Sequence, residues 1–487
     1  MSRRRRRRRH SHSGPILGRV KSFWSRLSAH PVRAAFIGGL SLVAVWLIVT
    51  KSLPYALAPS QPDLALALNS NNPAALVAKA EEFKKQLVAL ISVGDEQSKP
   101  EDVNPPETAA NTLSRLPAVK GSAGGIEPVG EREALRKTIR DLAARAIAND
   151  PLNASAYRLL AEVTSGSDRV RLLMQQSLKR SRREAIAAFW LLNDSIYRKD
   201  FREALDYADI LLRTRPALTT YVMGYLSLVA ETPEARDLLV KKLESAPVWR
   251  RDFFEMLPFT SKNADTPLLI TTALRESGKP VTQKEIAPYL EALVRNGQPD
   301  LAYNAWLQFL PSSQLENLGL LTNANFQSKP SGLPFDWQFA AGVNAISEIV
   351  SLEESKEHVL HIAFQDGRIK FPEVRQVLFL SPGRYRLSGK LHGAVAGKRG
   401  LRWQIHCTTG AKRILAETDM LLGESEQWRI FNLEAQVPAP NDCRGQTLRL
   451  FHDSRSASEE LLSGEVWFKD LSLERVPTES GHWGPDP

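Results

Sequence analysis

Sulfur and catalytic punctuation are what this sequence has least of. Only two cysteines, Cys407 and Cys443, occur in 487 residues. That excludes a disulfide-scaffolded miniature fold and a cysteine-rich zinc site. HExxH, GxSxG and CxxC are all missing, so zinc-protease, α/β-hydrolase and thioredoxin-type chemistry has no anchor. Residues 393–399 (GAVAGKR) hold glycines too close together for a P-loop and lack Ser or Thr after Lys398. His358 and His361 stand three apart in a strand-like stretch, which sends them to opposite faces and away from a shared metal. The carboxylates are scattered without an evident acid/base pair. The expectation is a non-catalytic protein with no metal and no cofactor.

Acid is missing from the first 33 residues. The run Arg3 to Arg9, then Arg19, Lys21, Arg26 and Arg33, carries the basicity of a chain whose total charge is +10. The remainder is close to neutral, so the basicity belongs to one tail (1–33) rather than to a folded nucleic-acid surface. No stacking aromatics interleave the arginine run, and nucleic acid is not expected as a partner. Attraction to anionic lipid, at about 1 kcal/mol per basic residue near the surface, is the simpler reading.

Charge of either sign is missing from residues 34–50, AAFIGGLSLVAVWLIVT. This is the lower limit of length for spanning a bilayer as a single helix, with residues 53–58 extending the apolar stretch and Lys51 snorkelling. Arginines lie before it and one lysine follows, so the positive-inside rule places the N-terminus in the cytoplasm and the bulk outside. A bacterial inner-membrane protein with a periplasmic body is expected. The competing reading is a cleaved signal peptide ending at Ala56-Leu57-Ala58. The long n-region and Pro59 after the cut argue against it.

Residues 63–311 read as helical hairpins. Apolar, alanine-rich runs are broken by polar or proline turns in 64–83, 131–163, 184–216 and 285–311. Pro151 cannot continue a helix and Asn153 can cap the next one. Residues 94–130 interrupt the pattern with five prolines and the small-residue run 121–125, and read as a disordered insertion. Pro151 and Pro216 are separated by nearly two 34-residue periods. Pro151, Tyr157, Leu160 and Ala161, and then Phe201, Ala204, Ala208 and Pro216, resemble the proline, aromatic and small positions of the tetratricopeptide repeat. Ala188 stands where the first-helix aromatic of the 184–216 unit is usual. The resemblance implies an α-solenoid that presents a protein-binding surface. A generic helical solenoid would present a similar one.

Beyond Pro311 the period changes to two. Residues 401–407 alternate strictly, and 359–364, 374–380, 385–391, 428–437, 447–451 and 465–473 are strand-like between turn signals. An antiparallel β-sandwich is expected over 320–476, followed by a flexible tail at 477–487. Residues 321–337 (LTNANFQSKPSGLPFDW) and 466–473 (VWFKDLSL) resemble the opening and closing strands of carbohydrate-binding-module and galactose-binding-like jelly rolls. Such folds often hold a structural calcium near the opening acid and the closing aspartate. Here Asp470 is present, but Gln327 replaces the usual glutamate, and an amide is a poorer ligand for a hard cation. Stacking of sugar on aromatics points to Tyr385, Trp428 and Trp337, while Trp403 and Trp467 are expected in the core and Trp337 also suits a plug at the sandwich end. Cys407 and Cys443 could form one bridge in an oxidising compartment, or remain two free thiols.

The whole is thus multidomain α and β: one transmembrane helix, a tetratricopeptide-like solenoid and a jelly roll. The combination resembles proteins found with alphaproteobacterial exopolysaccharide systems. It implies a periplasmic scaffold for polysaccharide assembly or export, with envelope proteins and polysaccharide as partners. A carbohydrate-active enzyme on the sandwich, and an envelope-protein assembly factor that never touches sugar, are the two alternatives.

Overall fold

A mostly apolar stretch near the start forms one long helix, and among the described residues most of it is left uncovered. Helix Pro31–Leu47 continues through a π-helical turn, Ile48–Ser52, into Leu53–Leu57. Within it Gly38–Leu57 has a mean hydropathy of 1.6 over 20 residues, and Phe36, Leu42 and Trp46 are exposed. At 1.5 Å per residue this helix is long and apolar enough to cross a bilayer core of about 30 Å. The computed structural model describes residues 31–95, 129–316, 318–352, 356–409 and 413–477. Most of the basic tail, the 94–130 insertion and the 477–487 tail lie outside the described residues.

The chain divides into two compact units, one running to Asp200 and the other beginning at Phe201. The first contains helices Pro62–Leu68, Pro73–Asp95, Val129–Asn149, Ala154–Glu162, Ser167–Arg180 and Ala185–Tyr197. Pro151 lies in an exposed turn, and the Asn153 side chain accepts from the Ala156 N–H at 3.1 Å, capping the next helix. Small residues let these helices approach: Ala80, Ala143 and Ala161 are fully buried. Tyr157 and Leu160 are half-buried, and the Arg180 guanidinium lies 3.8 Å from the Tyr157 ring centre.

A charged cluster joins three of these segments. Arg158 is 5% exposed. It donates to Glu162 at 2.9 Å, to Glu184 at 3.1 Å and to Glu81. Lys84 adds a contact to Glu162 at 2.7 Å. Burial alone would lower the Arg158 pKa, but Glu162 and Glu81 outweigh it and raise the value.

The second unit opens with helices Phe201–Thr214, Thr219–Glu231, Pro233–Glu244, Arg250–Thr260, Thr266–Glu276, Gln283–Arg295 and Pro299–Leu307. Ala204 and Ala208 are buried, Phe201 is half-buried, and Pro216 starts the short turn after the first helix. Among the described residues nine strands follow: β1 Ala345–Ser351, β2 His358–Phe364, β3 Val374–Leu378, β4 Gly383–Gly397, β5 Leu401–Cys407, β6 Ile414–Glu417, β7 Gly423–Val437, β8 Gln446–His452 and β9 Leu462–Val476. They make two antiparallel sheets, ordered β1-β2-β9-β4-β7 and β3-β8-β5-β6. Alternate side chains from both sheets fill one core, with Trp337, Trp403, Phe431 and Phe468 at its centre.

Seven strands fall where period two placed them. β1 and the short β6 were not read from the sequence. Neither face of β1 forms a continuous apolar row, and β6 has only four residues.

Helix Pro299–Leu307 is packed onto the sandwich. Tyr303 stacks on Phe379 at 5.3 Å, and Trp306 lies 5.5 Å from Phe335. Strand β5 departs from simple alternation, because the side chains of Arg449 and Glu417 close over Gln404. Gln404 and His406, at the polar positions, are 2% and 7% exposed.

Candidate functional site

The outer face of the five-stranded sheet carries a row of rings. Alternation places it there. In β2, Leu360 and Ile362 point into the core and His361 points out. In β9, Val466 and Phe468 point inward, leaving Trp467 and Lys469 outside. In β4, Leu391 is inside and His392 outside. Antiparallel register then sets His361 opposite Trp467, and Trp467 opposite His392. Trp428 of β7 completes the row.

The rings are close enough to act as one surface. His361 and Trp467 stack with centroids 4.9 Å apart and planes 12° from parallel. Trp467 and His392 are 5.5 Å apart, as are His392 and Trp428. Both indoles and both imidazoles are half-buried. The His392 Nδ1 atom is buried without a hydrogen-bond partner among the described residues. Gly393, in a bulge of β4, makes this arrangement possible. Its φ is +118°, and an added Cβ would meet the Glu465 carbonyl oxygen at 2.4 Å and the Trp467 ring at 3.0 Å.

Charged groups border the row. His361 contacts Glu465 at 3.1 Å and Glu348 at 3.5 Å. The Lys469 ammonium sits 4.7 Å from the Trp428 ring centre and 2.7 Å from Glu357. Lys390 and Lys469 face each other across β4 and β9, and each has its own carboxylate. Asp470, at φ +52° in the β9 irregularity, pairs with Lys390 at 2.9 Å. That hydrogen bond raises the Lys390 pKa. Asp470 therefore serves an ion pair, and among the described residues no cluster of three or more His, Cys, Asp or Glu forms a metal centre. A half-exposed ring surface with a charged rim can stack the apolar face of a flat ligand and hydrogen-bond its edges.

Two sequence candidates for sugar stacking need correction. Tyr385 is 2% exposed, points into the core and gives its hydroxyl hydrogen to the Ser381 carbonyl at 2.9 Å. Trp337 is fully buried, packs on Phe326 at 5.5 Å and donates Nε1–H to the Asn323 carbonyl at 3.0 Å. Neither offers a ring face to a ligand. Trp428 lies in the ring row. Trp467, expected in the core, is on the outer face. Its parity with Glu465 and Lys469 was the available signal. His361 and His392 were missed as members of the row because their neighbours lie on other strands.

At the far end of the sandwich, Cys407 of β5 and Cys443 of the loop before β8 are joined in a disulfide with Cα atoms 5.3 Å apart.

No protein-family model matches the chain. No curated protein matches it. Among solved structures, the chain is similar to a family 4 carbohydrate-binding module, at 11% identity and a TM-score of 0.23, over 32% of this chain and 99% of the module. It is similar to TmCBM61, solved in complex with beta-1,4-galactotriose, at 16% identity and a TM-score of 0.22, over 33% of this chain and 99% of that one. The CBM22-1 xylan-binding domain of Paenibacillus barcinonensis Xyn10C matches at 10% identity and a TM-score of 0.21, over 29% and 86%.

Proposed function

We propose that this protein is a non-catalytic, membrane-anchored glycan-binding scaffold for assembly or export of an exopolysaccharide or other envelope polysaccharide. The observation that carries the reading is the ring row His361, Trp467, His392 and Trp428 on the outer sheet face. Pyranose rings have flat C–H faces that stack on indole, and hydroxyl edges that suit the bordering Lys469, Lys390 and Glu465. The carboxylates beside the row are engaged: Glu357 with Lys469, Asp470 with Lys390, and Glu348 and Glu465 with His361. That favours binding over acid/base chemistry.

In this reading the apolar helix anchors the chain in the bacterial inner membrane, the basic tail stays cytoplasmic beside anionic lipid, and the rest is periplasmic. The helical hairpins act as tetratricopeptide-like repeats that hold envelope proteins. The test is a glycan array with the full-length protein in detergent, wild type beside Trp428→Ala and Trp467→Ala. Polysaccharide binding that both variants lose supports the reading. Binding by neither wild type nor variants, with envelope proteins still co-purifying, would leave only a protein-assembly role.

A further inference from the structure

A cavity lies on the other sheet. It has a volume of about 350 Å³ and sits between helix Gln283–Arg295 and the outer face of the four-stranded sheet. That is within the range of small-molecule sites, about 300 to 1,000 Å³. Strand register builds its floor. Arg375 faces Arg449 across β3 and β8, and Thr447 lies between Val377 and His406. The helix supplies Glu291 and Arg295 from one side, a turn apart.

The polar groups of the cavity fall into two sets. Arg449 is occupied: it donates to the Gln404 amide oxygen at 2.9 and 2.7 Å and to Glu373. The hydroxyls of Thr408 and Thr447 share a hydrogen bond of 2.9 Å, and either can turn to a ligand. Arg375 uses Nε on Gln338 at 2.9 Å, and its two terminal amino groups have no partner among the described residues. Arg295 lies 5.5 Å from the Phe259 ring centre and contacts no described carboxylate. Glu291 has no cation partner there either. Residues four apart in the order Glu then Arg ordinarily pair along a helix. Here Glu291 and Arg295 both line the cavity and are not paired with each other.

The site therefore offers two guanidinium forks, one unpaired carboxylate and two hydroxyls, and among the described lining residues the His406 imidazole is the one aromatic ring. An apolar ligand would strip water from these charges without replacing it. A compact inorganic anion would meet Glu291 and Glu373 as well as the arginines. A molecule carrying one carboxylate and several hydroxyls satisfies all the groups together, because guanidinium binds carboxylate bidentately and Glu291 accepts hydroxyl hydrogens. We propose that this cavity is a binding site for a small polyhydroxylated carboxylate, of which a hexuronic acid is the simplest sugar form. Arg375 and Arg295 hold the carboxylate and Glu291 and Thr447 the hydroxyls. The site is separate from the ring row and does not depend on it.

The experiment is calorimetric or saturation-transfer titration of the full-length protein in detergent with D-glucuronate, and with D-glucose as neutral counterpart. Glucuronate should bind at least about tenfold more tightly than glucose, a difference of about 1.4 kcal/mol. Arg375→Ala and Arg295→Ala should each weaken glucuronate about tenfold, and the double variant should abolish its preference over glucose. Arg375→Lys, which keeps the charge and loses the fork, should fall between wild type and Arg375→Ala. The preference for glucuronate over glucose should persist in Trp428→Ala, whatever that variant does to sugar binding on the ring row. Equal binding of the two sugars overturns the proposal, as does full binding by the double arginine variant or no glucuronate binding at millimolar concentration. Loss of binding in Trp428→Ala, with both arginine variants unaffected, would also overturn it by placing the ligand on the ring row. Thermal melts of each variant exclude misfolding as the cause.

Discussion

His361 lies flat on Trp467, with centroids 4.9 Å apart and planes 12° from parallel, although they belong to strands β2 and β9. Through its two ring nitrogens the same imidazole meets Glu348 and Glu465. The stack holds the indole at a fixed height on the sheet, half in water, where a core tryptophan would have no free face.

Truncating the exposed and the buried indoles should therefore have opposite consequences. Trp428→Ala and Trp467→Ala should each reduce glycan affinity about tenfold while leaving the fold intact. Trp403 is fully buried, and Trp403→Ala should cost about 3–5 kcal/mol of stability. Binding titrations and chemical denaturation of the three variants check this. A Trp467→Ala protein that loses stability as Trp403→Ala does would place Trp467 among the core residues.

The Cys407–Cys443 bridge closes a loop with a sequence separation of 36. Constraint of the unfolded chain over such a loop is worth about 2–5 kcal/mol. Replacing both cysteines by serine should lower the melting temperature by a corresponding amount. Thiol labelling of protein taken from cells is the direct check. Two reactive thiols there would sink both the bridge and an oxidising location.

Burial pushes the His452 imidazole below its ordinary 6.5, with a hydrogen bond to the Arg399 carbonyl and nearby acids opposing it only partly. A depressed histidine pKa means that the unfolded chain takes up the proton first as the pH drops. Its contribution to stability is thus complete above about pH 6.5 and is lost as the pH falls from there through the folded value. His452→Gln should flatten the fall in melting temperature between neutral and mildly acidic buffer. An unchanged slope would remove His452 as the cause.

Arg158 holds three carboxylates in the first unit, and the Glu162 side chain is only 4% exposed. Arg158→Met removes the cation that Glu81, Glu162 and Glu184 share and leaves Lys84 on Glu162 and Glu81, a loss of about 3–5 kcal/mol for a broken buried pair. Circular dichroism melts should show it. If Arg158→Met melts like wild type, water reaches the cluster.

Orientation across the membrane can be read from reporters. Alkaline phosphatase fused after residue 477 should be active, and a fluorescent protein that matures in the cytosol should glow only when fused before the apolar helix. The reverse pattern would reverse the topology.

The local pattern of residues was enough to announce several elements. An uncharged run near the start made a long apolar helix. Pro151 and Asn153 marked a helix boundary, and period-two alternation in residues 401–407 matched β5. These features depend on neighbours within a turn or a strand, so they are written in short stretches of sequence. What faces what across a sheet is not. The stack of His361 on Trp467 and the meeting of Arg375 with Arg449 both depend on strand order and register between distant segments. The burial of Tyr385 and Trp337, and of Gln404 at a polar position, follows from which neighbouring segments close over them. Hydrophobicity and periodicity decided which residues would form helices and strands. Only packing in three dimensions decided which faces remained open to a ligand.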